Sequence, residues 1–242
     1  MQLKGRVALI TGAGGGIGRE ISLSLAKEGV IVALFGGNNV EKLSKTKKQI
    51  EEIGGSALVY SGDLTNDKVL KEIFDKAVFE LKNIDILINN AGKAWNAPIE
   101  KTEVELIDQI MNINFRAPYL LTQMALPFLK KSDRASIINI TSVVSHAGYK
   151  NQSAYTASKH ALLGFTKSLA SEVFKDGIRV HAVSPGGVYT DMVKVSRPDL
   201  TGEDMIMPKD IADAVMFLLK NRTNAVIDEI KVHRANKEPF LI

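Results

Sequence analysis

The chain has 242 residues, of which 45% are hydrophobic and 24% are charged, and its formal net charge is +4 at pH 7. The absence of cysteine excludes disulfides, thiol catalysis and thiolate metal sites. The four histidines are scattered without the spacing of metal ligands, so we expect no metal site. No linker rich in Pro, Gly or Ser interrupts the sequence, and we predict a single domain over residues 1–242.

The sequence also bears on location and on macromolecular partners. No apolar run approaches the roughly 18 residues that a membrane span needs, and the N-terminal apolar run is too short for a secretory signal. We therefore expect a cytoplasmic protein with no membrane partner. A basic cluster in the second predicted helix is better explained as a solvated helix face than as a nucleic-acid site, so we expect no nucleic-acid partner. That cluster consists of Lys42, Lys45, Lys47 and Lys48.

The first predicted elements are a buried strand at residues 6–11, a glycine loop and a helix over residues 19–28. Glycines let the backbone approach a pyrophosphate closely, and the N-terminus of a helix attracts its negative charge. A flexible surface loop is the alternative, but the order strand, loop, helix favours a dinucleotide site. The loop residues predicted to contact the cofactor are Gly12, Gly14, Gly15, Gly16, Ile17 and Gly18.

The second predicted strand, residues 30–35, should end near the adenosine ribose. A carboxylate there would select NAD and a basic residue would select NADP, but the sequence continues with two glycines and two asparagines. Without a carboxylate a 2′-phosphate is not repelled, and Asn38, Asn39 and Lys42 could bind it. This favours NADP(H) weakly over NAD. A turn and the N-cap of the next helix explain the same residues equally well.

Two further strand ends supply candidate cofactor contacts. Asp63, followed by Leu64, comes after a strand-like run at residues 57–60 and could accept a hydrogen bond from the adenine amino group. It could equally cap the helix that starts near Asn66. A fourth buried strand, residues 84–88, precedes small and amide residues that suit a backbone lying against a flat cofactor, although a plain turn has the same composition. These residues are Asn90, Ala91 and Gly92.

Tyr155 and Lys159 are four residues apart, so on a helix their side chains project from one face. A nearby cation lowers the pKa of a phenol from its ordinary value of about 10, which predicts a tyrosine tuned for proton transfer. Ser142 follows the apolar run at residues 137–140, where a hydroxyl can hydrogen-bond a substrate oxygen. The pair alone could be a solvated helix face, but the glycine loop upstream favours catalysis.

Together these motifs resemble the short-chain dehydrogenase/reductase family, in the family's order and spacing over nearly the whole chain. The resemblance implies an α/β fold, namely a single-domain Rossmann fold with a doubly wound parallel sheet of about seven strands and helices on both faces. It implies a catalytic set of Asn114, Ser142, Tyr155 and Lys159, with Asn114 favoured over Asn112 by the residues that follow it. It also implies cofactor contacts from Tyr155, Lys159, Pro185, Gly186, Val188 and Thr190.

Within the family, the chain looks most like the 3-oxoacyl-(acyl-carrier-protein) reductases. This implies hydride transfer between NADP, or NAD, and the carbonyl of a small molecule or acyl thioester. Tyr155 would be the proton donor, Lys159 would lower its pKa and hold the nicotinamide ribose, and Ser142 would orient the carbonyl. Asn114 would hold a water that links Lys159 to solvent. The resemblance also suggests a homodimer or homotetramer through the helices that carry Asn114 and Tyr155.

Two other functions are compatible with the sequence. An NAD-dependent sugar or secondary-alcohol dehydrogenase would carry the same motifs. A cofactor-sensing or scaffold protein would keep the fold without turnover, but binding alone does not need a tuned phenol. The chain departs from the reductase pattern at Gly37, where an arginine is usual, and at Gly15, which is usually basic or polar. Its C-terminal tail, residues 227–242, lacks the usual Gly-Gly ending.

Substrate selection is expected to come from residues 191–208, a polar segment with three methionines that suit an adaptable lid. A short helix packed on the core is an equally good explanation. Trp95 and Val144 are expected to line the pocket beside Ser142 and Tyr155. His146 and Tyr149 follow the same catalytic element and are further pocket candidates, but His146 could equally be an exposed loop residue, and it has no predicted chemical role. No arginine cluster marks a site for an anionic substrate.

Overall fold

Apolar runs alternate with amphipathic segments along the chain, and they form alternating strands and helices. The structure is a computed structural model that describes residues 3–191, 193 and 201–238. The strands are β1 (Val7–Thr11), β2 (Ile31–Gly36), β3 (Ser56–Ser61), β4 (Ile86–Asn89), β5 (Ser136–Ile140), β6 (Arg179–Pro185) and β7 (Glu229–Val232). The helices are α1 (Gly16–Lys27), α2 (Val40–Glu52), α3 (Asp67–Leu81), α4 (Val104–Met111), α5 (Ala117–Leu129), α6 (Ser153–Val173) and α7 (Pro208–Lys220).

The seven strands form one sheet in the order β3-β2-β1-β4-β5-β6-β7, and every neighbouring pair is parallel. In the register, Leu9 of β1 pairs with Ala33 on one side and with Leu87 on the other. The strand order reverses at β1 and β4, so the connections that leave these two strands diverge and open a crevice at their carboxyl ends. The predicted doubly wound parallel sheet is confirmed, and the crevice is where its ligand is expected.

Helices cover both faces of the sheet because each strand has apolar side chains on both sides. On one face α1, α2 and α7 bury residues such as Ile21, Ile50 and Val215. On the other face α3, α5 and α6 bury residues such as Phe74 and Leu169. In the parts of the chain that the structure describes, no helix is both long and apolar enough to cross a membrane.

Candidate active site

The glycine loop between β1 and α1 is locked to the end of β4 by a set of short hydrogen bonds. Thr11 Oγ1 accepts from the main-chain N–H of Asn90 at 2.9 Å and of Ala91 at 3.0 Å, and Asn90 Nδ2 donates to Thr11 O at 2.9 Å. Gly12 has φ = +68°, and a Cβ there would lie 2.8 Å from Asn90 Nδ2. These contacts fix the start of the loop against the end of β4. They identify Thr11 as a structural residue that the sequence did not indicate.

The same loop leaves a cradle for a phosphate at the N-terminus of α1. Gly15 is the N-cap residue, makes no side-chain capping hydrogen bond, and is followed by a first turn without acidic residues. Gly16 has φ = +51°, and a Cβ there would lie 3.1 Å from Thr190 Cγ2, which brings the predicted contact Thr190 against the loop. Ile17 packs on the core beneath. A narrow cradle without side chains, at a helix N-terminus, fits the pyrophosphate of a dinucleotide.

At the end of β2, where the adenosine is expected, Asn38 and Asn39 had two explanations, a contact to a 2′-phosphate and the N-cap of the next helix, and the structure distinguishes them. Asn39 is the N-cap of α2, and its side chain accepts from the N–H of Lys42 at 3.0 Å, as the alternative explanation predicted. Asn38 is exposed, and the space around Gly37 is open to a side chain. Of the predicted phosphate contacts, Asn38 and the Lys42 side chain are therefore the ones that the helix cap leaves available.

Asp63 and Leu64 lie at the end of β3, on the same edge of the sheet. The exposed carboxylate of Asp63 accepts from the N–H and the hydroxyl of Thr65, at 2.9 and 2.7 Å, whereas Leu64 is buried. The alternative role of Asp63 as a helix cap is wrong, because Asn66 itself caps α3 by accepting from the N–H groups of Lys68 and Val69. Asp63 therefore presents an exposed carboxylate at the end of β3 and does not cap a helix.

Ser142 and Tyr155 meet at the carboxyl end of β5. The Ser142 side chain is close enough to the Tyr155 hydroxyl to lower the pKa of the phenol. The Ser142 hydroxyl donates to the carbonyl oxygen of Pro185 at 3.3 Å and accepts from the N–H of Val144 at 3.3 Å. Two hydroxyl groups from a strand end and a helix thus point at one place, beside the predicted nicotinamide segment that starts at Pro185.

Lys159 lies one helical turn after Tyr155, with its ammonium group buried. Nζ donates to the carbonyl oxygen of Ile140 at 2.7 Å and lies 6.0 Å from the centre of the Tyr155 ring. Burial lowers the pKa of Lys159 from 10.5 to about 8, because a charge is harder to keep away from water. At neutral pH Lys159 is still mostly charged.

The pKa of Tyr155 differs from the expected direction. Burial raises it above 10, and the nearby Ser142 side chain lowers it only in part. The pKa lowering that was expected from Lys159 is not found, since the ammonium is held by Ile140 and burial of the phenol has the larger effect. Tyr155 is therefore protonated at neutral pH, but its raised pKa makes it a weaker acid than a free phenol.

Asn114 sits in a π-helical turn, Asn112–Arg116, between α4 and α5. Its buried side chain accepts from the N–H of Lys93 at 2.8 Å and donates to the Lys93 carbonyl and to Ser158 Oγ, both at 2.9 Å. A Cβ on Gly92 would lie 3.1 Å from Asn114 Oδ1 and 3.8 Å from Lys159 Nζ. Gly92 therefore brings Asn114 close to Lys159, and π-helical turns of this kind are frequent at functional sites.

The segment Pro185–Thr190 closes the site on the side of β7. Gly186 donates its N–H to the carbonyl of Val232 at 2.7 Å, and Val188 forms a bridge with Ile206. Of the predicted lid, residues 192 and 194–200 lie outside the described residues, including Met192. Met205 is nearly buried and Met207 is half exposed, so one methionine packs on the core and the other faces solvent.

The predicted pocket residues occupy different depths. Val144 is buried next to Ser142. Trp95 is 41% exposed, in a loop tied to the segment before α6 by a hydrogen bond from the Ala97 N–H to the carbonyl of Asn151, at 2.8 Å. Val144 therefore lies against Ser142 in the interior, whereas Trp95 lies at the surface, and their predicted roles in a substrate pocket stay predictions.

His146 is not the exposed loop residue that the sequence suggested. Its Nε2 lies 2.6 Å from Glu229 Oε1 on β7, and the side chain of His146 is only 14% exposed. The same Glu229 oxygen accepts from the Ser184 hydroxyl, which lies 2.6 Å from Thr141 Oγ1. This polar network supports the strand ends under Ser142, and nothing near His146 in the sequence indicates the partner 83 residues away.

Comparison with known proteins agrees with this geometry. The model of the family described as short chain dehydrogenase matches residues 6–201. The 3-oxoacyl-(acyl-carrier-protein) reductase FabG of Thermotoga maritima is 33% identical over 239 residues, which cover 95% of this chain and 96% of that protein. The 2-dehydro-3-deoxy-D-gluconate 5-dehydrogenase of Bacillus subtilis is 34% identical over 234 residues, which cover 93% and 91% respectively.

A solved structure gives the same result. The crystal structure of a metagenomic short-chain oxidoreductase in complex with NADP has a TM-score of 0.85 and 32% identity, and the match covers 98% of this chain and all of that one. The family match extends over the glycine loop, Ser142, Tyr155 and Lys159. The chain therefore belongs to the short chain dehydrogenase family of oxidoreductases.

Proposed function

We propose that this protein is an NADP(H)-dependent reductase that transfers a hydride between nicotinamide and the carbonyl carbon of a 3-oxoacyl thioester. The observation that carries this proposal is the grouping of Ser142, Tyr155 and the buried Lys159 at the sheet edge where the glycine cradle lies. The similarity to the Thermotoga maritima reductase over nearly the whole chain supports the thioester substrate.

In the proposed mechanism, the nicotinamide supplies the hydride when it is bound, and the protein supplies position and a proton. Tyr155, protonated at neutral pH, donates its proton to the carbonyl oxygen in the direction of reduction. Ser142 orients that oxygen with a second hydrogen bond. Lys159, mostly charged, stabilises the phenolate that forms and binds the nicotinamide ribose. The cofactor cradle is formed by Gly12, Gly14, Gly15, Gly16, Ile17 and Gly18, with Asn90, Ala91, Val188 and Thr190 along its walls.

Asn114 completes the proposed proton path. Its side-chain amide donates both hydrogens, to Lys93 and Ser158, and its Oδ1 accepts one hydrogen bond from Lys93. Oδ1 can accept one more, which leaves a position for a water close to Lys159. Such a water would return a proton to Tyr155 by way of Lys159 after each turnover.

A second candidate is an NAD-dependent dehydrogenase of a sugar acid or secondary alcohol. The specific observations in its favour are the similarity to the Bacillus subtilis gluconate-type dehydrogenase and the open, uncharged space at Gly37. A scaffold without turnover is the weakest candidate, because a lysine buried beside a tyrosine is costly to keep unless it is used.

The experiment is the initial rate with NADPH and with NADH, against acetoacetyl thioesters, neutral ketones and keto sugar acids. We expect thioester turnover and a several-fold preference for NADPH, since no carboxylate follows β2 to repel a 2′-phosphate. The control is Gly37→Arg, which has room for its side chain and should increase the preference for NADPH further. NADH preference with sugar-acid turnover would overturn the thioester proposal, and no turnover of any carbonyl would overturn the enzymatic one.

We also propose that the protein is a homodimer through α5 and α6. Tyr119 is 45% exposed, and its ring centre lies 5.0 Å from that of Phe165 and 6.1 Å from that of Phe115, so an aromatic cluster bridges these helices at the surface. Tyr119→Glu should convert the dimer to a monomer in light scattering. Phe79→Glu on α3, at a position even more exposed, is the control and should leave the mass unchanged. A monomeric wild type would contradict the proposal.

A further inference from the structure

The C-terminal tail, which has no Gly-Gly ending, runs along the predicted nicotinamide segment. The pairing of β6 with β7 reaches Pro185 and Val232, and the N–H of Gly186 donates to the carbonyl of Val232 at 2.7 Å. Beyond β7 the tail stays close, since a Cβ on Gly186 would lie 3.7 Å from His233 Cα. The tail therefore borders the edge of the sheet where Ser142 and Tyr155 lie.

Arg234 occupies the inner side of this tail. Its Nη1 lies 3.9 Å from the sulfur of Met205, and its Nε lies 3.9 Å from the position that a Cβ on Gly187 would take. Gly187 follows Pro185, whose carbonyl accepts from the Ser142 hydroxyl, and its own carbonyl accepts from the N–H of Ile206. The guanidinium thus sits between the segment that adjoins the catalytic hydroxyls and the described end of the predicted lid.

The guanidinium of Arg234 is half-buried, yet within the described ranges it contacts a thioether and no carboxylate or carbonyl oxygen. Several other arginines differ, since Arg6 binds Asp85 and Asp133, and Arg222 donates to main-chain carbonyls, although the half-buried Arg134 likewise has no carboxylate or carbonyl partner among the described residues. Glu203 and Asp204 precede Met205, but both are exposed and neither pairs with Arg234. A guanidinium has five N–H donors, and removing them from water without an anion is costly.

We propose that Arg234 is a specificity-determining residue that binds an anionic group of the substrate. The inference rests on the proposed carbonyl reductase function and names the substrate class. A guanidinium binds a carboxylate or a phosphate through two parallel hydrogen bonds. The missing side chain of Gly187 leaves space beside Arg234, since a Cβ there would lie 3.9 Å from its Nε. The anion is either the carboxylate of a keto acid or a phosphate of a pantetheine-bearing thioester.

The test compares matched anionic and neutral substrates. For the carboxylate the pair is acetoacetate and ethyl acetoacetate, and for the phosphate the pair is acetoacetyl-coenzyme A and the acetoacetyl thioester of N-acetylcysteamine. Arg234→Gln should raise the KM of the anionic member of one pair roughly 10- to 100-fold, as expected for a lost hydrogen bond between charged groups. It should leave kcat within about threefold and the neutral member unchanged. Arg234→Lys, which keeps the charge, should recover part of the loss.

Lys231→Gln is the control, because Lys231 is an exposed basic residue of the same strand and tail. If the control lowers affinity as much as Arg234→Gln, or if both members of each pair respond equally, the inference is overturned. The pair that responds identifies the carboxylate or the phosphate as the anion. If neutral substrates turn over normally and no anionic one depends on Arg234, the inference fails while the reductase function stands.

A binding measurement keeps the inference testable if no carbonyl turns over and the proposed function fails. Isothermal titration with gluconate and with coenzyme A would then compare the wild type with Arg234→Gln. Binding that is lost only in the variant supports the anion site. Equal binding to both proteins, or no binding to either, overturns it.

Discussion

Tyr155→Phe is expected to lower kcat by a factor of at least about 100 while leaving the fold and cofactor binding intact, since general acid–base catalysis contributes roughly 10²- to 10⁴-fold. The substitution removes one hydroxyl, which lies near the Ser142 side chain. The ring stays in place beside Lys159. Steady-state rates, cofactor titration and thermal unfolding of the same preparation measure the three properties separately.

The matched control is Tyr149→Phe, because Tyr149 is a half-exposed tyrosine in the loop that leads to α6. It should retain the wild-type rate. A Tyr155→Phe variant with near wild-type kcat would show that the proton comes from another group, and Ser142 would be the next candidate. A variant that loses cofactor binding as well as rate would instead make Tyr155 a binding residue, and the proton donor would again have to be sought elsewhere.

The position of Tyr155 could be predicted from the sequence, but its protonation could not. Parallel strands end at one edge of a sheet, so a hydroxyl after β5 and a helix that begins after the next loop must meet there. The pKa depends instead on how deeply the phenol is buried and on where the nearby ammonium points. The Lys159 ammonium is directed at the carbonyl of Ile140, a contact that the spacing between Tyr155 and Lys159 does not indicate.

One further difference is local: Asn39 was equally compatible with a helix cap and a phosphate contact, and the hydrogen bond from the Lys42 N–H makes it a cap. The remaining differences come from long-range contacts. His146 pairs with Glu229, and Arg234 approaches Met205, across large separations in the chain. Local patterns predict strands, loops and helices well because those depend on neighbouring residues, whereas such pairings depend on how the sheet is ordered.

Gly18→Ala is expected to impair the nucleotide site more than any other single methyl group in the glycine loop. A Cβ at residue 18 would lie 2.3 Å from the carbonyl oxygen of Gly12 and 2.5 Å from Asn90 Nδ2. No side chain can rotate away from the first contact, because it is with the main chain. Either α1 shifts or the loop opens, and Asn90 then loses its hydrogen bond to Thr11. Overpacking of this kind costs about 1–3 kcal/mol of unfolding free energy.

Gly15→Ala separates this steric effect from a general effect of alanine in the loop. The space around Gly15 is open, and its backbone is extended, with φ = −174°, so an alanine fits without strain. Its cost is limited to a poorer N-cap, about 1 kcal/mol or less. Denaturant unfolding compares the stability of the two variants, and NADPH titration compares their cofactor Kd. We expect the Kd to rise at least about tenfold in Gly18→Ala, which corresponds to a loss of about 1.4 kcal/mol of binding free energy. In Gly15→Ala it should change only a few-fold. Equal effects of the two substitutions would mean that loop flexibility, rather than the close approach of α1 to Gly12, shapes the cradle.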